Sequence, residues 1–432
     1  MQAYDQAVVS ASKIIAQAIT SDLDSVIDNG LELDDLITDI SRRISHQVTQ
    51  QVMDAASLRL ASLYALQGWQ PLRNKIVKFK TVHGEININS PYFRRPGQTK
   101  GLRPMKLHFG VTGNGISHSL ERILCSFGAE KSFQKAADAL HEHYGLTIDK
   151  TTLQRHTEAI AQEAEAWLQA QYQKPVSQAS QAADEVICEL DGCDLRTGIY
   201  APDRKTREIN WMECRTGVIR RTDSTESLFI CANGPYTELC RQLVACSDIC
   251  GREPDTQVIA PGDGGIGLME TIVESFPKIQ YILDHRHLES HLYGAADSLG
   301  YVGKARDLWV KRHMSCLWAN DIDRVEESLS HQYEQTGNED LRKLIAYLDR
   351  FRECVSYGYY RDQNWPVGSG EVESAHRYVP QCRMKIPGAT WHPDNLNPML
   401  ALRVIRACRW WDKFWKWRQT QNYVPVPEDV TD

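Results

Sequence analysis

The chain lacks several features that would place it in a class at once. No apolar run approaches the roughly 18 residues needed for a membrane-spanning helix, so a helical membrane protein is not expected. The start, MQAYDQAVVSASK, has no apolar block of the signal-peptide kind, and the expected compartment is the cytoplasm. No CxxC pair occurs among the twelve cysteines, whose tightest spacing is Cys246 to Cys250. Neither a zinc cluster nor a disulfide framework is implied, and reduced thiols are the expectation. No repeat or low-complexity tract is visible. An overall positive charge is missing too: the formal net charge is −7, which by itself argues mildly against a polyanionic partner.

What is present is a globular composition, 42% hydrophobic and 24% charged over 432 residues. That length exceeds one ordinary core and predicts roughly two to four domains. The basic residues are unevenly spread. Between Arg73 and Lys106 nine Lys/Arg stand against one acid, Glu85. Between Arg377 and Arg418 nine more stand against Asp394 and Asp412. Local patches of this kind steer phosphates even on an acidic chain, although solvated basic faces have the same composition. Candidate nucleic-acid contacts in them are Lys78, Lys80, Arg94, Arg95, Arg377, Arg383 and Lys385. Tryptophans 391, 410, 411, 415 and 417 accompany the second patch, where they either stack on bases or pack a helix such as CRWWDKFWKW, packing being the commoner use.

Periodicity divides the chain into seven segments. Residues 1–70 read as helical, with Leu31, Leu33, Leu36, Ile37, Ile40 and Ile44, then Val48 and Val52, at helical spacing. Such a helix covers a core or pairs with a second subunit. Residues 71–112 hold a basic β-hairpin, IVKFKTVHGEININ, and the stretch PYFRRPGQTKGLRP. Residues 113–176 read as helix, Gly145 break, helix, with Ser132 capping the first helix and the second starting near Asp149. That is a helix-turn-helix-like layout, in which Lys150, Gln154 and Arg155 lie near the exposed start of the second helix; an ordinary helical hairpin gives the same pattern. From 177 to 287 strands dominate: EVICELDG, REINWMECRTGVI, TQVIAPGDGG and KIQYILDHRH, with the helix IGLMETIVESF between the last two. Residues 288–362 read as a charged helical insertion, 363–418 as the last part of the core, and 419–432 as a tail. The expected fold is α+β and multidomain: a ribonuclease-H-like core interrupted by a helical insertion and preceded by helical and helix-turn-helix-like regions.

Three acidic motifs stand far apart in this frame. They are Glu189-Leu190-Asp191-Gly192, Pro261-Gly262-Asp263-Gly264-Gly265 and Gly368-Ser369-Gly370-Glu371-Val372-Glu373. The first two put an Asp where a β-like run is expected to stop, Asp191 at the edge of a sheet and Asp263 on the strand beside it. The glycines permit a tight turn and close approach of a ligand. The third puts carboxylates in the first turn of a helix, where Glu371 and Glu373 lie about 200° apart and cannot share a pocket. Three convergent carboxylates hold Mg²⁺, with Mn²⁺ as a substitute, for in-line attack on a phosphodiester. Taken singly, an Asp-Gly at a strand end is a turn signal. A fourth cluster is Asp284-His285-Arg286-His287 with His291; on a helix His287 and His291 stand at i, i+4, spacing that also suits a transition metal.

Together LDG, PGDGG, LDHRHLESHLY, VGSGEVESAHR, RMKIPGATW and LALR resemble the DDE transposases of bacterial insertion sequences, the Kra-type group related to the Mutator-like superfamily. The resemblance covers about residues 75–412, and WMECRTGVI is similar to the second-strand region of that group. By position it implies Asp191, Asp263 and Glu373 as the catalytic, metal-holding acids, and Asp284 and His287 as an accessory D-x-x-H element that shapes the site or contacts DNA. It implies binding of double-stranded element ends and target DNA, hydrolytic release of 3′-hydroxyl ends, strand transfer, a homo-oligomer of at least two subunits, and a place at the nucleoid. Two departures stand out. The cysteine pair that many members carry after the N-terminal hairpin is missing from SPYFRRPGQTKGLRP, and His376 stands where an amide residue is common. A domesticated, catalytically inactive DNA-binding protein and a metal hydrolase built on residues 284–291 are the alternatives.

Overall fold

The computed structural model describes residues 2–28, 30–112, 115–174, 182–203, 205–421, 424 and 425. Its contacts divide the chain into two units, one of residues 1–123, 141–146 and 419–432, the other of residues 124–140 and 147–418.

In the first unit, helix α1 (Gln2–Thr20) precedes the 34-residue helix α2 (Leu33–Leu66). The helical spacing expected here is present, but Leu36, Ile37, Val48 and Val52 are exposed, so this stripe does not cover a core. The side chain of Leu31 lies outside the described residues. Only the far end of α2 is buried, with Leu60 and Tyr64 packed on Val77, Phe79, Ile86 and Ile88 of the hairpin β1 (Ile76–Thr81) and β2 (Gly84–Asn89). Alternate residues of β1 face that cluster, which leaves Lys78 outside. Gly84 closes the turn at φ +114°, a value a side chain would strain. Strand β2 is an edge strand. Side chains of α2 satisfy that edge: Gln50 bonds both the N–H and the C=O of Asn87, at 3.0 and 2.8 Å, and Ser57 donates to Asn89 O at 2.6 Å.

Helix α3 (Phe133–Tyr144) begins after Ser132, whose hydroxyl accepts the Lys135 N–H. Gly145 breaks the chain at φ +64°, and α4 (Lys150–Tyr172) starts on the Asp149 carboxylate, which accepts the Thr152 N–H at 2.9 Å. The second unit centres on a mixed five-stranded sheet of β3 (Glu185–Tyr200), β4 (Arg207–Arg221), β5 (Ser227–Ala232), β6 (Gln257–Gly262) and β7 (Ile279–Leu283). The spatial order is β7-β6-β3-β4-β5. Strand β4 is antiparallel to both of its neighbours, β3 and β5, and β6 and β7 run parallel to β3. Helix α5 (Tyr236–Ile249) links β5 to β6, and α6 (Leu268–Ser275) links β6 to β7. Four helices follow: α7 (His285–Ser298), α8 (Gly303–Trp318), α9 (Ile322–Thr336) and α10 (Glu339–Arg350). Then come the short α11 (Gly370–His376), α12 (Leu396–Ala407) and α13 (Trp411–Gln421). The architecture is α+β.

Two expectations about β3 are corrected. The strand does not stop at Asp191, and it is central rather than an edge. Its ladder with β6 ends at Ile187↔Ile259, whereas its ladder with β4 continues through Asp191↔Thr216 to Tyr200↔Arg207. The Asp191-Gly192 pair that resembles a turn is held straight by an in-register partner strand. Beyond Ile187 β3 leaves β6, and beyond Gly192, opposite the last β4–β5 pair at Arg215↔Ala232, β3 and β4 continue as a two-stranded ribbon.

One apolar cluster joins Leu190, Ile259 and Ile282 of the sheet to Leu243, Leu288, Leu329 and Leu344, so the helices after β7 share the core of the sheet. A second joins Leu195, Val218 and Phe229 to Ile160, Trp167, Leu400, Phe414 and Trp415. The tail expected over 419–432 starts inside α13, and apart from 424 and 425 its remainder after Gln421 lies outside the described residues, as do the segment boundaries at 113 and 177. No described helix is long and apolar enough to cross a membrane.

Candidate active site

Asp191 and Asp263 come from neighbouring strands. Asp191 lies just past the point where β3 parts from β6, and Asp263 is the first residue after β6. Burial raises the Asp191 pKa, and the Asp263 carboxylate pushes it further in the same direction, against the pull of His376, the Gly192 N–H and His287. The Asp191 Oδ1 accepts the Gly192 N–H at 2.6 Å. Asp263 Oδ1 accepts the Gly265 N–H at 2.9 Å, which folds the loop back on itself, and the Tyr347 hydroxyl donates to the Asp263 carbonyl at 3.2 Å. Gly264 is required here: it sits at φ +77°, and a Cβ would stand 2.6 Å from the Tyr347 hydroxyl. At Gly262 a Cβ would meet the Tyr281 hydroxyl at 2.3 Å, so that glycine admits a tyrosine rather than a ligand.

The third motif forms the first turn of α11. Its two glutamates part company as helical geometry requires. Glu371 is clamped by Arg220 of β4, with Nε–Oε1 2.8 Å, Nε–Oε2 2.9 Å and Nη2–Oε1 2.6 Å. Glu373 is exposed. One turn further on, His376 is buried against Asp191: its Nε2 lies 3.2 Å from the Asp191 carbonyl and its Nδ1 3.6 Å from Oδ2. Residues three apart on a helix differ by about 60° around the axis. Glu373 thus leaves α11 on the side that meets Asp191, and Glu371 does not. Among the described residues no three His, Cys, Asp or Glu side chains are gathered at ligand spacing. The oxygen-only chemistry of Asp191 and Asp263 suits a hard divalent cation.

Asp284 is buried and takes four hydrogen bonds: from Arg286 N at 2.7 Å and His287 N at 3.2 Å, capping α7, and from Ser369 N at 2.7 Å and Ser369 Oγ at 2.8 Å. Burial would raise its pKa, but these donors outweigh it and the pKa is lowered. Asp284 ties the end of β7 to the Gly-Ser-Gly turn, and its carboxylate is buried away from the surface. His287 acts on Asp191 only through its field. His291 stacks on Tyr347, ring centroids 4.5 Å apart.

One functional candidate is not apparent in the sequence. Glu189, two residues before Asp191 on the same face of β3, is fully buried. Its Oε2 accepts the Val372 N–H at 2.8 Å, and its Oε1 has no hydrogen-bond partner among the described residues. Burial pushes its pKa up to about 8. The signal that could have found it is an acid inside an otherwise apolar strand.

The basic candidates divide sharply. Lys78, Arg94, Arg95, Lys150, Gln154, Arg155, Arg377 and Lys385 are exposed and Lys80 is half-buried. Lys78 pairs with Glu85 at 3.1 Å, Gln154 bonds Glu158 at 2.9 Å, and Arg95 lies over Trp69. Arg383 is a correction. It is 3% exposed, donates to Gly128 O at 2.9 Å and lies between the rings of Phe133 and Trp391, so it reaches no phosphate. The desolvation of its guanidinium lowers its pKa to about 10. Arg403 and Arg418 of the same patch are buried as well, paired with Glu130 and Glu163. Trp391 and Trp415 are core residues, and Trp410 and Trp417 pack on Trp167.

No family model matches the chain, and no curated protein matches it in sequence. Among solved structures it aligns with a Drosophila P element transposase strand transfer complex at TM-score 0.24 and 13% identity, over 71% of this chain and 82% of that one.

Proposed function

We propose that the chain is a metal-dependent DNA transposase of an insertion sequence, of the Kra-type DDE group, built on a ribonuclease-H-like core. The observation that carries this reading is the arrival of Asp191 and Asp263 from neighbouring strands just past the last rung of the β3–β6 ladder, with α11, which bears Glu373, meeting Asp191 through His376. The strand order, three antiparallel strands followed by two parallel to the first, supports the core assignment. Asp191, Asp263 and Glu373 would hold Mg²⁺, with Mn²⁺ as substitute; when bound, the ion supplies Lewis-acid activation of the attacking oxygen and charge neutralisation at the leaving one. His376 fixes the Asp191 backbone, Asp284 fixes the turn before α11, and the loop held by Asp263 and Tyr347 fixes the second acid. The substrate would be double-stranded DNA, element ends and target, bound by a homo-oligomer through Lys78, Lys80, Arg94, Arg95, Lys150, Gln154, Arg155, Arg377 and Lys385.

The test is a plasmid carrying the sequences that flank the gene. Cleavage at those ends in Mg²⁺ is expected, reduced by roughly 10²–10³-fold in Asp191→Ala, Asp263→Ala and Glu373→Ala, the scale of losing one preorganised charge-stabilising group. Binding of the ends should survive each change. A second reading, a domesticated DNA-binding protein, is favoured by the absence of a gathered three-ligand cluster among the described residues. End binding without cleavage in Mg²⁺ or Mn²⁺ would decide for it.

A further inference from the structure

Helix α11 has an unusual start. Ser369 is its N-cap residue, and its carbonyl accepts the Glu373 N–H at 3.3 Å. A serine there normally turns its hydroxyl onto the N–H two or three residues into the helix. Ser369 does not, because its hydroxyl donates to Asp284 at 2.8 Å. The third residue of the helix, Val372, is buried, so its N–H has no access to water and needs an acceptor from elsewhere. That acceptor is Glu189, reaching from the central strand at 2.8 Å.

We propose that Glu189 is a positioning residue: it supplies from β3 the cap that α11 lacks, and so fixes the direction in which Glu373 leaves the helix toward Asp191. The inference rests on the reading of Glu373 as the third acid. The geometry behind it is specific. Glu189 and Asp191 are alternate residues of one strand and share a face, so one extended segment places the first acid and, two residues earlier, the cap of the helix bearing the third. Val372 lies between Glu371, clamped to β4 by Arg220, and Glu373. With Glu371 and the Val372 N–H both tied to the sheet, α11 has one rotation open to it. Glu189 touches no reacting atom in this scheme; it acts through Val372.

Two substitutions separate this role from simple core packing. Glu189→Gln keeps an oxygen acceptor for the Val372 N–H. Glu189→Leu keeps the volume and removes the acceptor. Amide hydrogen exchange over residues 370–376 is expected to be near wild type in Glu189→Gln and about tenfold or more faster in Glu189→Leu, the scale of one lost hydrogen bond to a charged or strongly polar group. Cleavage of end DNA should follow the same split: retained in Glu189→Gln and reduced by about 10²-fold in Glu189→Leu, the cost of misplacing a catalytic group by about an ångström. KM for DNA should be unchanged in both. Equal exchange in the two variants overturns the capping. Altered exchange with equal cleavage overturns the link to Glu373. A wild-type protein that cuts no DNA overturns the function instead, and the exchange result then decides the capping alone. Should Glu189→Leu fail to fold while Glu189→Gln folds, exchange in Glu189→Met, flexible enough to repack, replaces it with the same expected result.

Discussion

The two basic stretches of this chain have the same count of Lys and Arg, nine each, and only the second buries some of them. In 73–106 the side chains named as DNA contacts stand on a small hairpin and its following strand, with alternate residues pointing outward. In 377–418 three of the arginines are buried. Arg403 donates to the carbonyls of Val379, Ala129 and Tyr378 and pairs with Glu130, while Arg418 pairs with Glu163. The difference lies in what surrounds each charge. On the hairpin, period-two alternation carries a lysine to the solvent face. In the C-terminal helices, tryptophans and aliphatics fill the buried faces, and an arginine on such a face is kept by finding an acid, with carbonyls as well at Arg403. A run of basic residues interleaved with tryptophan therefore describes two things equally well, a nucleic-acid surface and a core with its charges neutralised.

Three experiments sharpen this contrast. The largest effect is expected from Arg403→Met, which strands three carbonyls and leaves Glu130 with Arg406 alone; about 3 kcal/mol of stability should be lost, read as a lower denaturation midpoint with an unchanged slope. The fourfold variant Lys78→Ala, Lys80→Ala, Arg94→Ala, Arg95→Ala should leave stability within about 0.5 kcal/mol. Its end-DNA affinity should instead fall by on the order of 10²-fold at low salt, and its salt dependence should become shallower by about 0.9 for each phosphate no longer neutralised. A fall in stability with no change in binding would reverse the assignment of the two stretches. The smallest effect concerns pH. Burial pushes the Glu130 pKa up, but Arg403 and Arg406 outweigh it and hold it below 4.5. A carboxylate lowered in the folded state stabilises the fold above its unfolded pKa and loses that contribution as pH falls through the folded value. Stability should therefore drop below about pH 4.5, and Glu130→Gln should flatten that drop. Glu130 is 37% exposed, so the difference should not exceed about 1 kcal/mol.

Much of the framework is legible in the sequence because local chemistry and tertiary context agree. Gly145 and Asp149 mark a helix boundary whatever packs around them, and the hairpin alternation of 76–89 is enforced by its own core. The strands of the sheet are readable as apolar runs, and Tyr347 anchoring the Asp263 loop is not, since nothing local links residues so distant in the chain. The length of β3 is hidden because Asp191-Gly192 carries turn chemistry, which the ladder to β4 overrides. Arg383 is hidden because a cation in an aromatic sandwich has the composition of a surface patch. Helical geometry does correctly exclude a shared pocket for Glu371 and Glu373. It cannot foresee that an arginine from β4 takes one of them and leaves the other outward, nor that a buried glutamate stands behind both.

The clasp at Asp284 has a consequence for the helices α7 to α10. The chain departs from the sheet at His285 and comes home at Val367 and Ser369, and the two points are bonded to each other: His285 N donates to Val367 O at 3.1 Å, and Asp284 receives Ser369. An excursion with its mouth fastened shut can change the length of the loops between its helices, which themselves stay packed in the core of the sheet, without tugging on what comes after. Lengthening such a loop costs little, about 0.6 kcal/mol per doubling. Those connecting loops are thus free to drift in length, and the register of the final glutamate is kept by a knot of hydrogen bonds at the neck.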